Sequence, residues 1–238
     1  MLQEYAKDTL AGLPFYTCLS DDDKAMLCEH STIREYGRDS HIFRYGKTQD
    51  HFYLICSGWV KIYCETLAGE EAIVDLLTAG NMLGEQAIFS DTAMFSAEAV
   101  CNGTILLEMP VDVIRAHIQR TSSFVSCILS GMVHHTSTLR CQIKQLDADQ
   151  ASERVALFLM KLYKLKRKET FTLPFKKALL ANYLGMKPET LSRALAVLKS
   201  RGVSVDKDKI QIFDPLRFST YCSQLDMAEG RPLESLAA

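Results

Sequence analysis

The chain has 238 residues, 47% hydrophobic and 24% charged, an ordinary globular make-up with room for two modest domains. Its longest apolar run, Val155–Met160, is far short of the ~20 residues that a membrane helix needs. The start, MLQEYAKDTLAG, has acidic residues and lacks the apolar stretch of a secretory signal, so no membrane partner is expected. The net charge of −2 conceals a division. Residues 1–149 hold 11 Lys+Arg against 20 Asp+Glu, whereas residues 150–217 hold 15 against 6, so the later module is suited to a polyanion. The eight cysteines include no C-x-x-C pair and no zinc-module spacing, and iron–sulfur ligand spacing is not visible. The simplest reading is reduced thiols in a cytoplasmic protein.

The first thirty residues read as helical. Ser20 followed by Asp21, Asp22 and Asp23 marks a helix start, with acids at the positive end of the dipole, and Met26, Leu27 and His30 follow on the inner side. From Ile33 to Pro110 the pattern is β-type. HIFRY, HFYLICSG, WVKIYCE, EAIVDLL and TILLEM are separated by glycine-bearing turns, and seven of the twelve glycines fall here. This predicts an antiparallel roll or sandwich, with a hairpin turn at Leu67–Glu70.

From Val111 the pattern turns helical. Val125, Ile128, Met132, His135, Leu139, Gln142 and Leu146 recur in steps of three and four, an a/d seam over three heptads. A twin helix from a second copy is the expected partner, the alternative being the chain's own β-module. Residues Asp147–Ser152 read as a hinge, and Glu153–Lys166 as a helix with Val155, Phe158, Leu159, Leu162 and Tyr163 inward.

Lys176–Gly202 is the most telling stretch. Leu179, Leu180, Tyr183 and Leu184 make one short helix, Gly185 a turn, and Pro188 the first turn of a second helix. That helix has an apolar face of Leu191, Ala194, Leu195 and Leu198, and an opposite face of Glu189, Ser192, Arg193 and Lys199. Arg can fork onto guanine, Glu can accept from cytosine and Ser can serve either, which is what a recognition helix requires. A helical hairpin with a solvated face fits the same pattern. The run VSVDKDKIQIF then reads as a β-hairpin, a wing with Lys207 and Lys209 placed for phosphate, as Lys187 and Lys199 also are.

A roll, a long helix and a winged helix-turn-helix, in that order, resemble the CRP/FNR family of bacterial transcription regulators. EYGRDSHIFRYGKTQDHFYLICSGWVKIY is similar to that family's effector domain, and the likeness spans about Leu13 to Tyr221. PETLSR (Pro188–Arg193) resembles the E-x-x-S-R recognition helix of the FNR and Dnr/NnrR branches, which implies Glu189, Ser192 and Arg193 as base readers of a TTGAT-type inverted repeat. The CRP branch has Arg where Pro188 stands and Gly where Ser192 stands. The resemblance implies an α+β fold in four parts: a sensing roll over 1–120, a dimerisation helix over 121–148, a DNA-binding module over 149–222 and a tail over 223–238 expected to be mobile. It further implies double-stranded DNA, RNA polymerase and a second copy of the chain as partners.

GEQAIFSDTAMFSAEAV resembles the family's phosphate-binding cassette at Gly84, Glu85, Ser96 and Ala97. Phe95 stands where cyclic-AMP receptors hold a phosphate with Arg, and Phe cannot fork onto an anion. Leu139 and Arg140 stand where those receptors have two hydroxyl residues facing adenine. Cyclic AMP is therefore not the expected effector. Haem, another apolar ligand, or no small ligand remain open. His30, His41, His134, His135, Cys18 and Cys28 are candidate haem ligands, and His135 paired across a dimer axis would titrate near neutrality. A nucleotide-binding-like module acting on a protein is the alternative function. A metalloenzyme built on the roll is disfavoured, since His41 and His51 are the only histidines in the strand region.

Overall fold

The structure, a computed structural model, describes residues 9–66, 69–146 and 151–228. The chain forms two units, Met1–Ser137 and Thr138–Ala238. Their division falls inside the long helix.

In the first unit a 3-10 turn (Leu10–Gly12) leads into α1 (Pro14–Thr17) and α2 (Asp21–His30). The strands follow: β1 (Thr32–Tyr36), β2 (His41–Phe43), β3 (His51–Ser57), β4 (Trp59–Glu65), β5 (Glu71–Thr78), β6 (Met82–Leu83), β7 (Ser96–Ala99) and β8 (Thr104–Pro110). They form two antiparallel sheets, ordered β1-β8-β3-β6 and β2-β7-β4-β5. β1, β6 and β7 lie outside the runs expected from sequence. The β4–β5 hairpin closes as expected, with Thr66 N–H donating to Glu70 O at 2.8 Å and Gly69 at φ 78°.

Period-two alternation sends β3 residues to two cores. Tyr53 and Ile55 join Val60, Ile62, Leu77, Ala97, Ala99 and Leu106 inside the roll. Phe52, Leu54 and Cys56 join a second core with Leu10, Phe15, Leu19 and Leu27 of the N-terminal segment, and with Ile114, Phe124, Cys127 and Ile128. The last four come from α3 (Val111–Ile118) and α4 (Ser122–Leu146).

Asp23, in the acidic run at the start of α2, is fully buried. Ser20 N–H and Oγ donate to it, as do His117 Nε2 (2.6 Å), Thr121 Oγ1 and Ser123 Oγ (2.7 Å), so one carboxylate ties α2 to the α3–α4 corner. Burial raises its pKa, but the hydrogen bonds from Ser20, Ser123 and His117 outweigh that and hold it far below the usual carboxylate range. His30, expected inward, lies exposed beside Glu29.

Two expectations are corrected here. The cysteines are not all free thiols: Cys18 and Cys127 form a disulfide with Cα atoms 6.1 Å apart. Cys28, Cys56, Cys64, Cys101 and Cys222 carry thiols outside any disulfide. Of the seam read as a dimer interface, Ile128, Met132 and His135 face the chain's own roll. Ile128 is 5% exposed, Met132 packs on the same core, and His135 pairs with roll carboxylates. The roll's helix-facing sheet needs an apolar cover, and α4 supplies it. Val125 and Leu139 are half-buried, while Gln142 and Leu146 have side chains outside the described residues. Among the described residues, the exposed large apolar side chains of α4 are Leu129 (55%) and Val133 (66%), one turn apart.

The second unit holds α5 (Ala151–Lys166), β9 (Thr170–Thr172), α6 (Lys177–Tyr183), α7 (Pro188–Leu198), β10 (Val203–Asp206), β11 (Lys209–Ile212) and α8 (Pro215–Ala228). α5 takes in Ala151 and Ser152 of the expected hinge, and 147–150 lie outside the described residues. The sheet order is β10-β11-β9, so the expected hairpin gains a third strand. Val155, Phe158, Leu159 and Leu162 of α5 are buried, as are Leu180, Leu184, Leu191, Leu195, Leu198 and Phe218. Phe158 meets Tyr183 edge-on at 5.8 Å. Residues 223–228, placed by sequence in a mobile tail, continue α8, while 229–238 lie outside the described residues.

Candidate functional site

In the second unit the turn between α6 and α7 is built from backbone. Gly185, at φ 63°, ends α6 with its N–H donating to Asn182 O at 2.9 Å, and Met186 N–H reaches Ala181 O at 2.9 Å. Lys187 is the extended N-cap residue and Pro188 the first helical one, where no N–H is needed. Leu191, Ala194, Leu195 and Leu198 are buried, which leaves Glu189, Ser192, Arg193 and Ala196 exposed. Glu189 also lies in the first turn, where the helix dipole favours an acid.

Lys199 begins the 3-10 turn that follows, and Gly202 closes it at φ 93°. A Cβ there would meet Asp214 O at 2.7 Å, so glycine is required for the chain to turn into the wing. Asp206 pairs with Lys209, and Lys207 at the tip takes a left-handed φ of 49°. Lys187, Lys199, Lys207 and Lys209 are all exposed. A groove of about 340 Å³ runs between α7 and β10, lined by Lys177, Ser192, Leu195, Ala196, Lys199 and Ser204 among others. Lys177 and Ser204 escaped the sequence reading because only the fold brings α6 and the wing beside α7. Basic residues thus surround a helix whose outer face carries both donors and an acceptor.

In the first unit, Gly84 sits at φ 82°, where a Cβ would fall 2.2 Å from Gln49 Nε2 and 3.1 Å from His51 O. Glu85 follows in a 3-10 turn (Glu85–Ile88) whose end Arg115 holds, Nε to Ile88 O at 2.9 Å and Nη2 to Ala87 O at 2.7 Å. Arg115 also pairs with Asp91, and sequence reading did not single it out. The Glu85 carboxylate meets His135 Nδ1 of α4 at 3.3 Å, and His135 Nε2 lies 3.3 Å from Asp75 Oδ2. Asp75 and Glu85 together hold the imidazole protonated, with its pKa raised to about 10. A neutral-pH titration of His135 across a dimer axis is thereby overturned.

Phe95 packs against the roll interior with Phe43 and Tyr53. Ser96 turns away from it: its Oγ accepts from Tyr45 N–H at 3.0 Å and borders a separate cleft of about 820 Å³ with His41, Arg44 and Lys47. Of the cassette residues singled out from sequence, Ser96 lines this cleft, and Gly84 and Glu85 are not part of its lining. Leu139 is half-buried, and the side chain of Arg140 lies outside the described residues.

The candidate haem ligands do not converge. His41 lies 3.5 Å from Glu98, Cys18 is bonded to Cys127, and Cys28 lies beside Tyr16. His134 has its side chain outside the described residues. A protonated His135 has no lone pair to offer iron. These residues do not fit a haem. Among the described residues no three His, Cys, Asp or Glu gather to hold a metal, and no helix is long and apolar enough to cross a membrane.

Comparison with known proteins places both units. Residues 33–121 match the cyclic nucleotide-binding domain family and residues 153–220 the Crp-like helix-turn-helix domain family. The chain is 24% identical to the cyclic AMP receptor protein of Thermus thermophilus over 82% of this chain and 89% of that protein. It is 27% identical to the nitrogen fixation regulation protein FixK of Rhizobium meliloti over 80% and 87%. Among solved structures, a Ruegeria pomeroyi protein taken for a cyclic nucleotide binding protein superposes with a TM-score of 0.68 at 30% identity, covering 94% of this chain and 99% of that one. The chain belongs to the CRP/FNR family of transcription regulators, non-enzymatic proteins that join a cyclic-nucleotide-binding-type domain to a helix-turn-helix DNA-binding domain.

Proposed function

We propose that the chain is a homodimeric, sequence-specific regulator that reads a TTGAT-type inverted repeat in double-stranded DNA. The supporting observation is α7: Glu189, Ser192 and Arg193 share its exposed face while the opposite face is buried. Arg193 reads guanine, Glu189 accepts from cytosine, and Ser192 adds a short contact. Lys187, Lys199, Lys207 and Lys209 meet phosphates, with Lys177 beside them. Residues 149–222 act as the DNA-binding module, 121–148 as the helix that meets a second copy, and 1–120 as the sensing module.

The second copy meets α4 through Leu129 and Val133, which the roll leaves bare. Two recognition helices then reach half-sites one helical turn apart. Such a regulator works in the cytoplasm, on promoters and with RNA polymerase.

The roll does not respond to cyclic AMP in this reading. Phe95 offers no charge to a phosphate, and Glu85 is engaged by His135. Fluorescence anisotropy with a TTGAT inverted-repeat duplex and a scrambled one tests the assignment. Affinity for the repeat about 10³-fold tighter than for the scrambled duplex is expected at physiological salt. Equal affinity for both removes base reading, and unchanged affinity on adding cyclic AMP is expected.

A further inference from the structure

We propose that Cys18 and Cys127 form a reversible redox site, taking a hydroperoxide-class oxidant at Cys18 and using Cys127 as the resolving thiol. The inference goes beyond the DNA-binding reading. Three observations carry it. The two residues are separated by 109 positions, yet their Cα atoms lie 6.1 Å apart, within the range that a disulfide spans. Their accessibilities differ in the useful sense: Cys18 is exposed at the end of α1, while Cys127 is 4% exposed beneath it on α4. An oxidant can therefore reach one sulfur only, and the second is held ready against it. The buried thiol of Cys56 offers a contrast. Cys56 is enclosed in the core, which pushes its pKa up to about 12 and leaves almost no thiolate.

The chemistry balances in two steps. The Cys18 thiolate attacks the peroxide, its sulfur loses two electrons to the O–O bond, and a sulfenic acid and hydroxide form. The Cys127 sulfur then attacks the sulfenic sulfur, the S–S bond forms, and the hydroxyl leaves as water with the thiol proton. The net change is two thiols and one hydrogen peroxide to one disulfide and two waters. A cellular thiol or dithiol reverses it by thiol–disulfide exchange.

The position of the bond gives it a consequence. It fastens α1 to the second turn of α4, beside the edge-on contact of Phe15 with Phe124. Formation or loss of the bond acts on the seating of the long helix, whose far end continues into the second unit. We expect operator affinity to differ between the two states, by about fivefold or more in either direction, as usual for coupled sites.

The full-length protein is prepared with dithiothreitol, then treated with stoichiometric hydrogen peroxide. Thiols are counted by alkylation and intact mass, and the link is mapped by non-reducing peptide mass spectrometry. The expected result is eight alkylated thiols when reduced, six after peroxide, and a linked peptide pair containing Cys18 and Cys127, reversed by dithiothreitol under native conditions. Operator affinity is measured in both states of wild type and of Cys18→Ser, an exposed position whose change leaves the core intact. Wild type should show the affinity difference and Cys18→Ser should lose it. Cys28→Ser should behave as wild type.

Eight thiols after peroxide, or a link through Cys28, overturns the proposal. So does a bond that dithiothreitol cannot open without unfolding, or identical affinity in both states, either of which makes it a static staple. If neither state prefers the repeat, the DNA reading fails, and the redox site is then decided by the thiol count and the native reversal alone.

Discussion

His135→Gln tests the clamp between α4 and the roll. The substitution keeps a polar side chain of similar size and removes the charge that Asp75 and Glu85 hold. Raising an imidazole from 6.5 to about 10 corresponds to at most about 5 kcal/mol, at about 1.4 kcal/mol for each decade of proton affinity. The ring stays 29% exposed, so water screens part of the attraction, and we expect about 2–3 kcal/mol. The sign follows from linkage. The folded pKa lies above the unfolded one, so the stabilisation is complete below pH 6.5 and disappears as pH rises through about 10. Urea unfolding can be followed through Trp59, the single tryptophan, which is buried in β4 of the roll and so reports on this unit. The stability gap between wild type and variant should be about 2–3 kcal/mol at pH 6 and under about 1 kcal/mol at pH 9. Taking the difference cancels groups that titrate alike in both proteins. A gap that fails to shrink with pH, or no gap at pH 6, would refute the charged clamp.

Asp23→Asn should lower roll stability by about 2–4 kcal/mol at neutral pH, because the donors of Ser20, His117 and Ser123 lose a buried carboxylate. Asp23's pKa is depressed on folding, so its contribution is present above the ordinary carboxylate range and is lost as pH falls. The gap between the two proteins should therefore close in acid, as read by Trp59 fluorescence during urea unfolding. Arg193→Ala should cost about 1–3 kcal/mol on the repeat and little on scrambled DNA, whereas Lys207→Ala should weaken both alike and reduce the salt slope by about one. Equal losses on both duplexes for Arg193→Ala would contradict base reading. Gly202→Ala should destabilise the second unit by about 1–3 kcal/mol, since the new Cβ would face Asp214 O at 2.7 Å with φ at 93°. Helix loss on heating, read by circular dichroism, measures it. Leu129→Asp with Val133→Asp should halve the native mass and leave Trp59 fluorescence unchanged. An intact dimer would move the interface elsewhere.

The winged module was legible in the sequence because its signals are local. A glycine that ends α6, a proline that starts α7 and an apolar stripe four positions wide all act within a few residues of where they are written. What periodicity conveys about α4 is less: a stripe at Ile128, Met132 and His135 shows that this face is covered, not by what. Two covers competed, a twin helix and the chain's own sheet. The sheet took the stripe because β3 and β8 present Phe52, Leu54, Leu107 and Met109 on that side and must themselves be covered. That leaves Leu129 and Val133 exposed, the pair on which the proposed dimer surface rests and too sparse to draw notice in sequence. Asp23 and the Cys18–Cys127 pair failed to show for the same reason, since their partners lie about a hundred residues along the chain. An acid in the first turn of a helix reads as a solvated cap until the α3–α4 corner closes over it. The sensing end is obscure for a further reason. Its cassette keeps the glycine that the backbone requires, and its glutamate meets the chain's own histidine across fifty residues, a contact between helix and roll that no local pattern announces.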